Sequence, residues 1–118
     1  MFNYVEADVP EKLPLTAPEI GELFSNLLEN ACEACIKMEG GGSIALTVKV
    51  DNDRLRLELR NSVSVQTVFD RAGLPRTTKA GGGTGTRSAA TIVQRYGGML
   101  RFSQEGNVFV TQMILPLI

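Results

Sequence analysis

Two asparagines on one predicted helix have the residue type and spacing that could do chemistry. Asn26 and Asn30 are four residues apart, so their amides lie on the same edge of the helix. Asparagine is a poor helix former, and two in mid-helix cost stability that glutamine or lysine would retain. An amide oxygen is also a neutral hard ligand, suited to Mg²⁺ beside phosphate oxygens. The pair predicts a polar site on this edge.

The same edge continues with Glu33 and Lys37, which are again spaced i and i+4. At about 100° per residue, the four polar residues lie roughly 120° from the centre of the apolar stripe. They therefore border the core without joining it. For Glu33 and Lys37, a solvated ion pair and a place in the site both stay open.

A glycine-rich turn, "KAGGGTGTRSAA", is the second candidate, and it leads directly into another predicted helix. Its glycines allow backbone amides to approach a ligand, and the free N–H groups at residues 86–89 attract anionic oxygens. Lys79 and Arg87 could add positive charge. The turn lacks the Gly-Lys-Ser/Thr of a P-loop, and Ser88 stands where a dinucleotide fingerprint needs its third glycine. A flexible loop that merely eases the start of a helix remains the alternative.

Composition excludes several classes of function. The chain has 118 residues and a net charge of −1, so no overall basic field would gather nucleic acid. It has no histidine, which removes histidine acid-base mechanisms and a phosphoacceptor histidine of its own. No membrane helix or signal peptide is evident, and we expect a cytoplasmic domain without direct membrane contact. With no third cysteine for zinc, Cys32 and Cys35 are interpreted as small core-side residues.

The elements that must position these residues follow from periodicity and from capping signals. Thr16 with Glu19 forms a capping-box pattern that starts a long helix, which the glycines at 40–42 should end. The segment from 61 to 83 should be a mobile loop with a helical turn near "VQTVFDRAG". The other predicted elements are an early strand within 3–15, strands at 43–50 and 54–60, a helix at 86–96, and strands at 99–103 and 108–115 around the turn "QEGN". We expect one α/β two-layer sandwich, with a mostly antiparallel sheet and its helices on one face.

In this order, "NLLENACEA", a hairpin ending in "LELRNS", and "GGGTGTRSAATIVQRYGG" resemble the ATP-binding domain of the gyrase, chaperone, histidine-kinase and MutL (GHKL) superfamily. The resemblance covers essentially the whole chain. It is nearest to sensor histidine kinases of the quorum-sensing and citrate-sensor-like types, and it implies a Bergerat-type ATP-binding fold. It also implies ATP and Mg²⁺ as ligands. The implied partners are a phosphoacceptor histidine domain in cis or trans and a response regulator. The 118 residues would then be a single domain of a longer, dimeric chain.

Site residues are carried over from this resemblance position by position. Asn30 becomes the Mg²⁺ ligand, and Asn26 faces the phosphates where hydrolysing relatives hold a glutamate base. Asn61 takes the place of an adenine-recognising aspartate, although the usual D-x-G-x-G is absent and its neutral oxygen should bind more weakly. Residues 63–82 would form a lid over ATP. The remaining implied ligand contacts are Ala34, Lys37, Lys79, Gly83, Thr84, Gly85, Thr86 and Arg87.

Two alternative functions stay open at the level of sequence. One is a serine/threonine kinase of the anti-sigma-factor type, which belongs to the same superfamily and needs no histidine. The other is a degenerate interaction module that binds nucleotide weakly or not at all.

Overall fold

The protein is a single mixed sheet with two helices packed on one face. The computed structural model describes residues 2–8, 10, 12–76 and 84–117. The elements are β1 Phe2–Ala7, α1 Ala17–Ile36, β2 Ile44–Asp51, β3 Arg54–Ser62, α2 Thr84–Arg95, β4 Met99–Glu105 and β5 Val108–Pro116. The strand order is β1-β2-β3-β5-β4, in which β1 runs parallel to β2 and every other pair is antiparallel. This confirms the expected α/β two-layer fold.

The core lies between the sheet and the two helices. Every second residue of β3 faces inward, and Leu55, Leu57 and Leu59 are all buried there. From α1 the inward residues are Leu23, Leu27, Ala31 and Cys35, and from α2 they are Ala89, Ile92 and Val93. Both sets recur at three- and four-residue steps, as one face of a helix requires. The two helices pack on each other and on the sheet, so their inward faces fix how their polar edges are placed.

The capping box at the start of α1 is confirmed. The Glu19 backbone N–H donates to Thr16 Oγ1 at 3.3 Å, and the Thr16 N–H donates to Glu19 Oε1 at 2.9 Å. The Glu19 carboxylate also accepts from Arg95 Nη1 at 2.7 Å and from the Tyr96 hydroxyl. These last two residues lie at the end of α2, so α1 and α2 run antiparallel.

The end of α1 differs from the prediction. The helix stops at Ile36 with Lys37 as its C-cap and does not continue to the glycines. Gly40 and Gly41 then adopt left-handed backbone with φ of 79° and 80°. At Gly42 a Cβ would lie 2.9 Å from Cys35 Sγ, so the chain doubles back against the last turn of the helix. The early stop follows from this close return into β2.

The predicted helical turn near residues 65–73 is wrong. Asp70 Oδ1 accepts from the backbone N–H groups of Ala72 and Leu74, and Phe69 forms an isolated bridge with Pro75. An aspartate side chain that takes backbone donors in this way favours a turn over a helix. The segment also starts later than expected, because Asn61 belongs to β3.

The last elements extend the predicted ones by one or two residues. The turn between β4 and β5 is reduced to Gly106 and Asn107, with Gln104 and Glu105 inside β4. Gly97 ends α2 in a left-handed conformation with φ of 74°. At Gly98 a Cβ would lie 2.6 Å from the Ile114 carbonyl oxygen, so this position brings the chain close to β5.

Neither α1 nor α2, the helices that the structure describes, combines the length and the apolar character of a membrane-spanning helix.

Candidate functional site

The antiparallel packing of α1 and α2 brings Asn26 against the first turn of α2. A Cβ placed on Gly85 would lie 3.3 Å from Asn26 Oδ1 and 3.4 Å from its Cγ. Gly85 therefore lets the backbone of α2 approach the amide more closely than a larger residue would. The polar edge of α1 and the first turn of α2 therefore adjoin each other at Asn26 and Gly85.

The amides of Asn26 and Asn30 are available to a ligand. Both side chains are half-buried, and neither makes a hydrogen bond with a residue that the structure describes. Half-buried amides usually find protein partners, and these two retain open donors and acceptors. Ala34, also half-buried, continues the same edge one turn later. The edge combines hydrogen-bonding groups with a small side chain.

The first turn of α2 has the charge pattern of an anion site. It contains no acidic residue, although acids are the favoured residues at a helix N-terminus. Arg87 lies exposed in this turn, where a cation opposes the helix dipole. Thr86 is 7% exposed. A bound anion would turn both the dipole and Arg87 into favourable interactions. Of the other predicted contacts here, Lys79, Gly83 and the side chain of Thr84 lie outside the described residues.

Asn61 lies on β3, at the end of the sheet near the last turn of α1. It is 3% exposed and occupies the helix-facing side of β3, in line with the core leucines. Its Nδ2 donates to the Ser62 carbonyl oxygen at 3.0 Å, while its Oδ1 accepts no hydrogen bond from a described residue. Cys35, in the last turn of α1, reaches this end of the sheet through Sγ, which lies 3.6 Å from the Ser43 carbonyl oxygen. From Asn26 to Ala34 the edge of α1 spans about 12 Å, since eight residues rise 1.5 Å each.

Lys37 lies far from the start of α2. It caps the C-terminus of α1, exposed, roughly 16 Å along the helix axis from Asn26. Its position places it nearer the Asn61 end than the α2 end. Glu33 is exposed on the same helix. The cysteines fit the structural interpretation, because Cys35 is buried and Cys32 half-buried, and both are free thiols.

A divalent cation in this site would need ligands beyond the protein. Among the described residues, no group of three His, Cys, Asp or Glu side chains could hold a metal ion. The Asn30 amide oxygen would supply one neutral ligand, and it accepts no hydrogen bond from a described residue. Mg²⁺ commonly takes one or two protein oxygens and completes its shell with water and substrate phosphates. The donor set therefore fits Mg²⁺ carried by a phosphate ligand.

Sequence reasoning missed Ser62, which supplies the carbonyl that accepts from Asn61. Ser62 is itself held by Ser43, because its N–H donates to the Ser43 carbonyl oxygen at 3.0 Å and its Oγ accepts from the Ser43 N–H at 2.9 Å. The sequence offered one signal, which is that Asn61 continues the inward alternation of Leu55, Leu57 and Leu59. A polar residue at a core-facing strand position needs a partner nearby.

Comparison with solved structures identifies related folds. The histidine kinase domain of the Erythrobacter litoralis EL346 blue-light activated histidine kinase superposes with a TM-score of 0.74 at 24% identity, covering 97% of this chain and 53% of that chain. The nucleotide-free catalytic domain of histidine kinase ThkA gives 0.74 at 23% identity, covering 98% and 78%. ThkA in complex with the response regulator TrrA gives 0.71 at 19% identity, covering 99% and 34%. The chain thus spans about half the length of the EL346 structure. At these identities the likeness shows the fold.

Sequence comparison identifies the family. Curated protein sequences give no match to the chain. The family model described as the GHKL domain matches residues 15–116, a range that contains both helices and four of the five strands. The chain therefore belongs to the GHKL domain family, in a form whose fold is that of histidine kinase catalytic domains.

Proposed function

We propose that this domain binds ATP with Mg²⁺ and is the catalytic domain of a sensor histidine kinase. It would transfer the γ-phosphoryl group to a histidine on another domain or chain. The observation that carries the proposal is the close approach of Gly85 to Asn26, which brings amides that have no hydrogen-bond partner among the described residues next to a helix start suited to anions. Family membership and the related kinase folds support it.

The surface offers separate places for the two ends of ATP. The first turn of α2, with its backbone N–H groups and Arg87, suits the phosphates. The buried Asn61 suits the base, because its Oδ1 can accept a hydrogen bond from the exocyclic amino group of adenine. Between these ends, the middle of the nucleotide would pass the small side chain of Ala34 on the α1 edge.

Mg²⁺ would be held by the Asn30 amide oxygen together with phosphate oxygens. When bound, it neutralises charge that develops on the phosphates during transfer. The chain's own part is to fix the orientation of the triphosphate: Asn30 and Asn26 hold it from α1, and the α2 amides hold it from the other side. Positioning and electrostatic stabilisation of this kind account for most of the catalysis of phosphoryl transfer.

Transfer to a protein suits this site better than hydrolysis of ATP. Asn26 carries an amide, which cannot take a proton from water, so this position supplies no general base. An imidazole nitrogen is already a nucleophile. In the proposed step a nitrogen–phosphorus bond forms, the bond from the γ-phosphorus to the bridging oxygen breaks, and ADP leaves. The chain contains no histidine, so the acceptor comes from elsewhere.

In this proposal the domain acts in two-component signalling, in the cytoplasm where ATP is supplied. Its downstream partner would be a response regulator, as in the related ThkA complex with TrrA. The quorum-sensing or citrate-sensor-like subgroup remains part of this proposal.

The full-length protein that carries this domain provides the test. It is incubated with γ-labelled ATP and Mg²⁺, and the labelled protein is then exposed to acid and to base. We expect label that is lost in acid and retained in base, as a phosphoramidate requires. Asn30→Ala should abolish the label, whereas Ser25→Ala, an exposed position on the same helix, should not.

Other outcomes separate the alternatives. Acid-stable label on a serine-bearing partner protein would overturn the histidine assignment in favour of the anti-sigma type of kinase. Absence of label, combined with absence of ATP binding, would identify an interaction module instead.

A further inference from the structure

Gln104 lies in the same row of the sheet as Asn61. On the helix-facing side, Gln104 of β4 is paired with Phe109 of β5, and Phe109 is paired with Asn61 of β3. Residues directly opposite each other in antiparallel strands present their side chains to the same face. Gln104 is therefore two strand spacings, or about 10 Å, from the residue proposed above for the base end of the nucleotide site.

The side-chain amide of Gln104 holds segment 63–76, which follows β3. Its Oε1 accepts from the Thr67 backbone N–H at 2.8 Å, and its Nε2 donates to the carbonyl oxygens of Val65 at 3.2 Å and Gly106 at 2.8 Å. A reversed amide would lose all of these bonds, because donors would face a donor and acceptors would face acceptors. Gln104 therefore connects this segment to the turn between β4 and β5.

Two further contacts tie the segment to the same end of the sheet. The Val63 N–H donates to the Asn107 carbonyl oxygen at 2.9 Å. The ring of Phe69 stacks on that of Phe109, with ring centroids 6.1 Å apart and ring planes inclined by 10°. Since Phe109 is the cross-strand neighbour of Asn61, Phe69 lies against the ring that adjoins the base end of the site.

We propose that Gln104 is a positioning residue for nucleotide binding, which holds segment 63–76 in place before the nucleotide binds. This inference rests on the nucleotide site proposed above. Gln104 acts indirectly, through Phe69. The place of Phe69 beside the base end depends on the bonds that fix Val65 and Thr67. A segment that is already ordered loses less conformational entropy when the ligand binds, so the preorganised site binds more tightly.

Replacing the amide should release the segment while leaving the sheet intact. Gln104→Leu keeps a side chain of similar size that has neither donor nor acceptor. Of the ties described above, the Val63 hydrogen bond and the ring stack would remain. The backbone pairing of β4 with β5 does not involve the side chain, so the fold should persist. The nucleotide would then have to order the segment, and its affinity should fall.

The first part of the test is calorimetry. Dissociation constants for ATP and ADP in Mg²⁺ are measured for the parent, Gln104→Leu, Gln104→Glu and Gln112→Leu. Gln104→Glu keeps the side-chain length but loses both donors, and Gln112→Leu is the matched control at an exposed position of β5. We expect Gln104→Leu to bind both nucleotides about fivefold more weakly or worse, Gln104→Glu about threefold, and the control within about twofold of the parent. Both nucleotides should respond, because they share the base.

The second part is amide hydrogen exchange, which separates positioning from a merely structural role. The reporters are the backbone N–H groups of Val63 and Arg76. They donate to carbonyl oxygens of Asn107 and Val68, so they keep their partners when Gln104 is replaced. In nucleotide-free Gln104→Leu both should exchange about tenfold faster than in the parent, and saturating Mg·ATP should restore the parent rates. A merely structural role would speed exchange without this recovery.

Three results would overturn the inference while leaving the ATP site intact. One is a Gln104→Leu variant with the affinity of the parent, whatever its exchange rates. Another is a loss of affinity for ATP alone, which would place the effect at the phosphates. The third requires no variant to fold: a Thr67 N–H in the nucleotide-free parent that exchanges as fast as in an unfolded chain. If the parent binds neither nucleotide, the proposed ATP site itself fails, and the positioning role fails with it.

Discussion

The two helices of this domain begin in opposite ways. The start of α1, which we call the closed start, is capped by the protein's own side chains, because Thr16 and Glu19 cap each other and Glu19 also accepts from Arg95 and Tyr96. The start of α2, which we call the open start, has no acidic residue and carries Arg87 where the helix dipole disfavours a cation. The first helix start is stabilised by protein side chains, whereas the charge pattern of the second suits an anion.

This difference separates a helix start that is capped by the protein from one that we propose as a ligand site. The closed start of α1 and the end of α2 are joined through Glu19, which fixes the antiparallel packing of the two helices. That packing sets Asn26 against Gly85 at the open start of α2. Changes at the closed start should therefore alter stability, and changes at the open start should alter ligand affinity.

Arg87→Glu should have the largest effect. It replaces a cation by an anion at the open helix start, so affinity for Mg·ATP should fall at least tenfold, or about 1.4 kcal/mol. The free energy of unfolding should instead rise by about 0.3–1 kcal/mol, because an acid suits the helix dipole. Calorimetry and denaturant unfolding measure the two quantities. Arg101→Glu, an exposed position on β4, is the matched control and should leave affinity within twofold. Equal losses in the two variants would remove the special role of the α2 start.

Thr16→Ala should act on the closed start alone. Loss of the hydroxyl that accepts from the Glu19 N–H should lower the free energy of unfolding by about 1 kcal/mol. Nucleotide affinity should stay unchanged, and Thr16→Ser should restore most of the stability because it keeps the hydroxyl. Denaturant unfolding with parallel calorimetry checks both statements. A drop in affinity as large as the drop in stability would show that the two helix starts are not independent.

Gly85→Ala should weaken ATP binding without destabilising the fold. The added Cβ would lie 3.3 Å from Asn26 Oδ1, so the amide must shift by a few tenths of an ångström. We expect an affinity loss of about threefold, or about 0.6 kcal/mol. Gly21→Ala is the matched control, because Gly21 lies on α1 and a Cβ there would meet no atom within 4 Å. Calorimetry that finds the same affinity for both variants would argue against a functional contact at Gly85.

The closed start should also give a pH-dependent contribution to stability. Hydrogen bonds from Tyr96 and from the Thr16 backbone lower the pKa of Glu19 from 4.5 to about 2. A carboxyl with a lowered pKa stabilises the fold above its unfolded pKa, and this contribution disappears as the pH falls towards its folded pKa. The difference in unfolding free energy between the parent and Glu19→Gln should therefore be constant above a pH of about 5 and shrink between about 4.5 and 2. A difference that stays constant from neutral pH to pH 3, measured by denaturant unfolding, would contradict this assignment.

The parts of the fold that depend on local pattern were predictable from the sequence. The capping box, the alternating strands and the inward faces of both helices each follow from residues close together in the chain. The helical turn near residues 65–73 was wrong because the Asp70 side chain takes the backbone donors that a helix would use.

The candidate site was less accessible to sequence reasoning. The spacing of Asn26 and Asn30 indicated a polar edge, but its contact with Gly85 depends on how two helices pack. The orientation of Asn61 depends on the pairing of β2 with β3, which places Ser43 beside Ser62. Long-range register of this kind is not encoded in any short motif.

The central claim is that the edge of α1 and the start of α2 together bind Mg·ATP through Asn30. The most direct measurement is calorimetric titration of the domain with ATP, in Mg²⁺ and in a chelator, for the parent, Asn30→Ala and Ser25→Ala. We predict binding by the parent in Mg²⁺, at least tenfold weaker binding by Asn30→Ala, parent-like binding by Ser25→Ala, and little difference among the three in chelator. No heat from the parent at millimolar ATP, or an Asn30→Ala variant indistinguishable from the parent in Mg²⁺, would contradict the claim.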